Sequence, residues 1–310
     1  MQARAIVLHE PERIALDTLA LDAPGPADAV VAVRWSGIST GTERLLWSGR
    51  MPMFPGMGYP LVPGYESVGT VIEAGAESGV AVGQTVFVPG ARCFGPVRGL
   101  FGGAASHLVS AGARLVPLDP SLSERGILFA LAATAQHALG AAQSGPSLIV
   151  GHGVLGCLLA RLTVAAGGTP VVWETNPIRA EGADGYAVLH PDADARRDYA
   201  TITDASGDAS LLDTLMGRLG FGGEIVLAGF YEAPLAFTFP PAFLREARIR
   251  VAAQWKPEDL ATVAALTASG RLSLDGLVTH RSPAANAAEA YRTAFGEPAC
   301  LKMILDWSAA

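Results

Sequence analysis

The chain has 310 residues, 22 Lys and Arg against 29 Asp and Glu, and a formal net charge of −7. With 50% hydrophobic and only 16% charged residues it can bury the cores of two domains, which excludes a disordered chain. The acidic balance and the absence of any Lys/Arg block exclude a nucleic-acid surface.

The first residues, MQARAIVLHEPERIAL, alternate like a strand and meet charge at once, so no signal peptide is expected. No apolar run approaches the roughly 18 residues needed to cross a bilayer. Residues 127–142 come nearest and are interrupted by Gln136 and His137. Cys93, Cys157 and Cys300 are too few and too scattered for a disulfide framework or a four-cysteine zinc lobe. A cytoplasmic protein with no transmembrane segment is the expectation.

Residues 1–35 carry β-like segments, AIVLHE, ALDTLALD and AVVAVRWSG, separated by Pro and Gly turns. Next comes SGISTGTERLLWSGRMPMFPGMGYPLVPGYESVGTVIEAG, rich in turn formers and ending in a strand; VGQTVFVPG and ASHLVSAGARLVPLDP supply more short strands. At Ser121 a helical passage starts, SLSERGILFALAATAQHAL, with Glu124 three positions on as a capping box. The second half alternates. Strands are expected near Tyr186 to Leu189 and at TITDASG, GEIVLAGF and ARIRVAAQW, with helices across LLDTLMGRLG and EDLATVAALTASG, the last closing at Gly270. From 271 on, LDGLVTHRSP, a helix AANAAEAYRTAF and a strand CLKMILDW return to the first domain. The expected class is α/β, with a β-rich domain over 1–120 and 271–310 and a doubly wound domain over 121–270.

The most informative stretch is LIVGHGVLGCLLARLTVAAGGTPVVWE, 148–174. It reads strand, glycine turn, helix, strand. Gly151 permits the tight turn, Gly153 lets the backbone approach a pyrophosphate, and Gly156 lets the helix lie close on the strand. The helix start at Val154 and Leu155 offers free N–H groups and a positive dipole end to the phosphates. Glu174 follows Gly156 by 18 positions, near the offset of about 20 for an acid on the adenine ribose. A carboxylate there accepts from the ribose hydroxyls of NAD and repels the 2′-phosphate of NADP, so the cofactor is expected to be NAD. Arg179 lies five positions on, placed to cover the adenine or to meet a phosphate. Asp204 and Ser206, at the end of TITDASG, and Gly229 and Phe230, at the end of IVLAGF, should line the nicotinamide and its ribose, because ligands gather at strand carboxyl ends. Gly and Ser also simply make turns there.

The layout, with GISTGTE (37–43), PLVPGYESVGTV (60–71), GHGVLG (151–156) and the late return to the first domain, resembles the medium-chain dehydrogenase/reductase superfamily over essentially the whole chain. That resemblance implies a GroES-like catalytic domain joined to a Rossmann domain. In the superfamily's zinc alcohol dehydrogenases a GIC turn and a PxxxGHE motif supply the metal's cysteine and histidine. Here Ser39 and Tyr65 stand in those places and only Glu66 keeps the family's acid. Hydroxyls are poor zinc ligands beside thiolate and imidazole, so neither a catalytic nor a structural zinc is expected. More narrowly, SGISTGTERLLWSGRMPMFPGMGYPLVPGYESVG with ITDASGD and GGEIVLAGFYEAPLAF is similar to those superfamily members of photosynthetic bacteria that oxidise the 3-(1-hydroxyethyl) group of a bacteriochlorophyllide to 3-acetyl with NAD. A tetrapyrrole substrate and, as in many relatives, a homodimer paired through the strand at 249–253 are what the resemblance implies.

Without zinc a side chain must take or relay the hydroxyl proton, an effect worth about 10² to 10⁴ in rate. Tyr65 and Glu66 are the first candidates, as hydrogen-bond partner of the substrate oxygen and as proton acceptor; the plainer account makes Glu66 a structural carboxylate and Tyr65 a filler of the metal position. Ser39, Thr40 and Thr42 could carry a relay, although turns favour Ser and Thr anyway. His137 is either a base or a satisfied interior histidine. Trp47, Met51, Met53, Phe54, Met57 and Tyr59 cluster in one Pro- and Gly-rich loop, suited to cover a flat macrocycle or to form core. Two rival functions remain at this level: a zinc-free quinone or alkene reductase, which would prefer NADPH and against which Glu174 speaks, and a non-catalytic NAD-binding protein.

Overall fold

The computed structural model describes residues 1–53, 55–140 and 145–309. The chain divides into two compact units, one of residues 1–130 with 275–310 and one of residues 131–274. The sequence reading set these junctions at 120/121 and 270/271.

The first unit is built on two sheets. Seven strands make the larger one: His280–Pro283, Met303–Asp306, Asp28–Ile38, Ser67–Ala74, Thr85–Val88 and Val116–Pro117 in that order, with His107–Ala111 also paired to Asp28–Ile38. The smaller one runs Arg13–Ala20, Gln2–Glu10, Leu61–Val62, Arg98–Gly99. Gln2–Glu10 alternates only at its start, with Gln2 and Arg4 exposed and Ala3 and Ala5 buried; from Ala5 to Leu8 every residue is buried, and Ala3, Ala5, Ile6 and Val7 share a core with Val30, Val71, Val86 and Leu108. The C-terminal strand completes this unit, Met303 lying opposite Ile38 and Leu305 opposite Ser36 in antiparallel register.

One helix start differs from the expectation. Asp119 caps the turn by accepting the Ser121 N–H at 2.8 Å, and the backbone kinks at Ser123, with φ of +51°, before the α-helix Phe129–Leu139 begins. Glu124 does not close a capping box. It pairs with Arg281, whose guanidinium Nε reaches both carboxylate oxygens at 3.0 and 2.9 Å, because Arg281 offers a planar fork that a backbone N–H cannot match.

The second unit holds six parallel strands in the order Ala187–Leu189, Val171–Trp173, Ser147–Val150, Tyr199–Asp204, Leu219–Leu227, Arg248–Val251. The order reverses beside Ser147–Val150, the strand that runs into the glycine turn. Apolar runs suit parallel strands, whose two faces are both covered; Leu148, Val150, Trp173, Ile202, Ile225 and Leu227 form the core with Leu212 and Leu215. Trp173, the last residue before Glu174, is pinned by a buried carboxylate. Asp194 Oδ2 accepts the Trp173 indole N–H and the Tyr199 hydroxyl, both at 2.8 Å. Replacing Asp194 by Ala leaves both donors unsatisfied, and urea unfolding should show a loss of about 2–6 kcal/mol, at roughly 1–3 kcal/mol for each stranded group.

Candidate active site

A set of buried polar groups in the first unit lies where the strand Asp28–Ile38 turns into the short helix Thr42–Trp47. Lys302 and Glu66 are both buried, and Lys302 Nζ stands 2.6 Å from Glu66 Oε2 and 3.2 Å from the Ile38 carbonyl oxygen. Only glycine fits opposite: a Cβ at Gly37 would lie 2.4 Å from Glu66 Oε2. Glu66 Oε1 has no hydrogen-bond partner among the described residues. Burial pushes the Glu66 carboxyl up from its ordinary range, and the Lys302 ammonium pulls it back.

Tyr65, half-buried, shares a 2.8 Å hydrogen bond with Ser39 Oγ, is bonded by Thr42 as well, and meets the Phe101 ring edge-on at 5.3 Å. Burial and then the nearby Glu66 charge raise its phenol above the ordinary value. It therefore stays protonated at neutral pH and acts as a donor. Glu43 lies beneath: burial pushes its carboxyl up to about 7, against hydrogen bonds from Tyr291 and from the Ser39 backbone that pull it down.

In the second unit the glycine turn has the shape a diphosphate needs. Gly151 has φ of +95°, and a Cβ at Gly156 would stand 1.8 Å from the Gly151 carbonyl oxygen, so both positions demand glycine. A Cβ at Gly153 would meet nothing within 4 Å, leaving the approach open. The first intrahelical bond runs from the Cys157 N–H to the Gly153 oxygen at 2.9 Å, so the N–H groups of Val154, Leu155 and Gly156 lack acceptors in the helix. These residues fit a dinucleotide.

Glu174 is held by backbone donors: Oε1 accepts from Thr175 and Asn176 at 2.9 and 2.8 Å, and Oε2 accepts from the His152 N–H at 3.0 Å. Two oxygens have about four acceptor positions, which leaves capacity for a hydroxyl. The His152 ring is buried, facing neither solvent nor the phosphate approach. Its Nδ1 lies 2.5 Å from the Arg179 carbonyl oxygen and its Nε2 2.8 Å from the Tyr186 hydroxyl. A carbonyl only accepts, so Nδ1 carries the hydrogen and Tyr186 donates to Nε2. The glycine turn is thereby tied to the loop behind Glu174 through the main chain of Arg179.

Asp204 is buried, with Oδ1 accepting the Ser206 N–H and O–H at 2.9 and 2.6 Å and Oδ2 accepting the Tyr231 hydroxyl at 2.8 Å. Its main-chain oxygen takes the N–H groups of Ala228 and Gly229, both at 2.9 Å, stitching two strand ends together. Phe230, next in the chain, is exposed.

A scan of family models matches the alcohol dehydrogenase GroES-like domain over residues 25–120. Over 313 residues, all of this chain and all of the relative, 59% of positions are identical to the 2-desacetyl-2-hydroxyethyl bacteriochlorophyllide A dehydrogenase of Rhodobacter capsulatus. The chain belongs to the medium-chain dehydrogenase/reductase superfamily. It is 58% identical to the relative of the same description from Cereibacter sphaeroides, over all of this chain and 99% of that one. The solved 2R,3R-butanediol dehydrogenase of Bacillus subtilis shares the fold, with a TM-score of 0.86 at 20% identity over 99% of this chain and 100% of that one.

The sequence expectation set Ser39, Tyr65 and Glu66 where the superfamily's zinc enzymes have their metal position; in the structure Ser39 bonds Tyr65 and the Glu66 carboxylate already has an ammonium on it. That set does not fit zinc: two neutral hydroxyls are weak ligands, and a cation beside Lys302 would meet like charge. Among the described residues no group of three or more His, Cys, Asp or Glu is arranged to hold a metal. Thr40 sits half-buried in the same turn. His137 lies in the other unit, its Nδ1 3.0 Å from Asp259 Oδ2, the carboxylate that also caps the helix Pro257–Ala268. Of the loop residues expected to cover substrate, Met51 is buried and Trp47, Met57 and Tyr59 pack on the same small cluster, while Met53 is 93% exposed; Phe54 lies outside the described residues.

Glu43, Tyr291, Lys302 and Phe101 were not singled out from the sequence. Lys302 carried a signal, as a lone cation inside the apolar run CLKMILDW; a lysine so placed needs a buried acid. Replacing Lys302 by Met should destabilise the protein by about 3–5 kcal/mol, because Glu66 is left as an uncompensated buried charge. Adding Glu66→Gln should recover most of that loss in the same denaturation measurement.

Proposed function

We propose that this chain oxidises the 3-(1-hydroxyethyl) group of a bacteriochlorophyllide to 3-acetyl with NAD and without zinc. The 59% identity over the full length of the Rhodobacter capsulatus enzyme carries the substrate class. The Lys302 ammonium seated on Glu66 supports the metal-free chemistry.

When bound, NAD supplies the hydride acceptor. Gly151, Gly153 and Gly156, with the N–H groups of Val154, Leu155 and Gly156, would hold its diphosphate, and Glu174 its adenine ribose. Asp204, Ser206, Gly229 and Phe230 would shape the place of the nicotinamide ribose, and the loop behind Arg179 that of the adenine. The proton is the task of the first unit. Tyr65, kept protonated by its surroundings, donates a hydrogen bond to the carbinol oxygen with Ser39 behind it, and as the carbonyl forms the hydroxyl proton passes by way of Thr40 towards Glu66 Oε1, which is buried and is reached through a relay. A carbinol beside a conjugated macrocycle shares its developing positive charge with the ring, which lessens the need for a Lewis acid. Met53, Met57 and Tyr59 would border the macrocycle. His137, engaged with Asp259, has no part in this scheme.

Glu174 supports NAD over NADP. Its carboxylate is fixed by three backbone N–H groups, so a 2′-phosphate would face a negative charge that cannot swing away. We also infer a homodimer, paired through the edge strand Arg248–Val251, where Ile249 and Val251 are exposed. Among the described residues no helix is long and apolar enough to cross a membrane.

Mixing the protein with NAD and a 3-(1-hydroxyethyl) bacteriochlorin should move the long-wavelength absorption band as the acetyl group joins the conjugation, with substoichiometric zinc in the same sample. NADP should serve at least roughly tenfold less well in kcat/KM, about 1.4 kcal/mol of discrimination. Turnover of NADPH with a quinone instead, or activity that tracks added zinc, would replace this reading. In solution the mass should be twice 32.0 kDa, and Val251→Lys should reduce it to one chain.

A further inference from the structure

Tyr65 is held from below by groups that never reach its ring. Ser39, whose hydroxyl bonds the phenol, is itself fixed by a closed pair of contacts with Glu43: the Ser39 N–H donates to Glu43 Oε1 at 3.0 Å, and the Glu43 N–H donates to the Ser39 oxygen at 3.2 Å. The other carboxylate oxygen, Oε2, accepts the Tyr291 hydroxyl at 2.6 Å. Tyr291 comes from the helix Ala287–Gly296, 248 positions along the chain, and both it and Glu43 are buried. Glu43 thus spends one oxygen on the turn and the other on a distant helix.

Both partners of Glu43 are donors. An ionised carboxylate satisfies them together, whereas a protonated one keeps only part of that acceptor capacity and brings a third hydrogen into a buried place, which weakens the bond on the oxygen that carries it. The remaining charged groups facing it are Glu66, which disfavours the ionised form, and Lys302, which favours it. For Tyr65 to donate its hydrogen bond to a substrate oxygen, Ser39 must be the donor in their shared bond, and that needs Ser39 kept in place.

We propose that Glu43, braced by Tyr291, is the positioning residue of this site: in its ionised form it locks the Ser39 turn so that Ser39 donates to Tyr65 and Tyr65 donates to substrate. The proposal deepens the dehydrogenase reading and rests on it for its kinetic consequence, but the coupling from Glu43 to Tyr65 is a property of the free protein. The carboxyl sits near 7, so acidification through neutrality releases the turn.

The test has two arms on the full chain. In the first, the protein carries ¹³Cζ-tyrosine, with the Tyr65 signal assigned through Tyr65→Phe, and is titrated without ligands. The Tyr65 resonance should move with a midpoint near neutrality in the parent and stay still in Glu43→Gln. In Tyr291→Phe the midpoint should move to higher pH, because the lost hydrogen bond favoured the ionised form. In the second arm, kcat for the bacteriochlorin with NAD should fall about 10- to 100-fold in Glu43→Gln, in the range of orienting contacts, with the KM for NAD unchanged. The acid limb of the parent's kcat profile should shift upward in Tyr291→Phe. A Tyr65 signal that responds to pH alike in parent and Glu43→Gln, or an unshifted midpoint in Tyr291→Phe, overturns the proposal. A parent that shows the coupled titration yet leaves the bacteriochlorin unoxidised overturns the substrate reading and keeps the coupling. Should Glu43→Gln fail to fold, Tyr291→Phe alone decides.

Discussion

Charge removed from water must be matched at close range, and the first unit is arranged around that constraint. Glu66 and Lys302 are buried together, 2.6 Å apart, with a second carboxylate, Glu43, close enough to feel both. The pairing of Met303 with Ile38 delivers Lys302 to Glu66, and the absent side chain of Gly37 makes room for the carboxylate. Buried ion pairs add little net stability, yet breaking one is expensive. In the observed register, with Met303 opposite Ile38, the lysine of this strand meets its acid.

The second unit meets the same constraint with backbone N–H groups and uncharged side-chain donors around its carboxylates. Glu174, His152 and Tyr186 bond one another and the backbone around them, so the glycine turn and the loop after the second strand form one piece. Asp204 joins the next two strand ends in a similar way. A surface prepared by such contacts changes little when it is filled, which lowers the entropy lost on binding.

The glycine turn was legible because its chemistry is local. Spacing alone places Gly151, Gly153 and Gly156 between a strand and a helix, and steric limits on backbone approach do the rest. Glu66 stood out in the sequence as the acid of a motif, while its pairing with Lys302 did not. The helix start at Ser121 was misread because Glu124 fits a local capping pattern, whereas a distant arginine binds it more strongly. The aromatic and thioether loop was legible only as an apolar cluster. Whether a given Met or Trp packs inward depends on neighbours such as Leu8, Leu61 and Leu100, which come from other stretches of chain.

Sequence by itself determined the order of elements, the β-rich and α/β halves and the glycine turn between strand and helix, because each depends on residues within a few positions of one another. Tertiary structure alone decided which buried polar groups meet. Glu43 with Tyr291 and Glu66 with Lys302 are separated by 248 and 236 positions, and their pairing follows from sheet register and helix docking, which no local pattern encodes. Hydrogen bonds and ion pairs act over about 3 Å, so the partner of a buried side chain is settled only when the chain has folded around it.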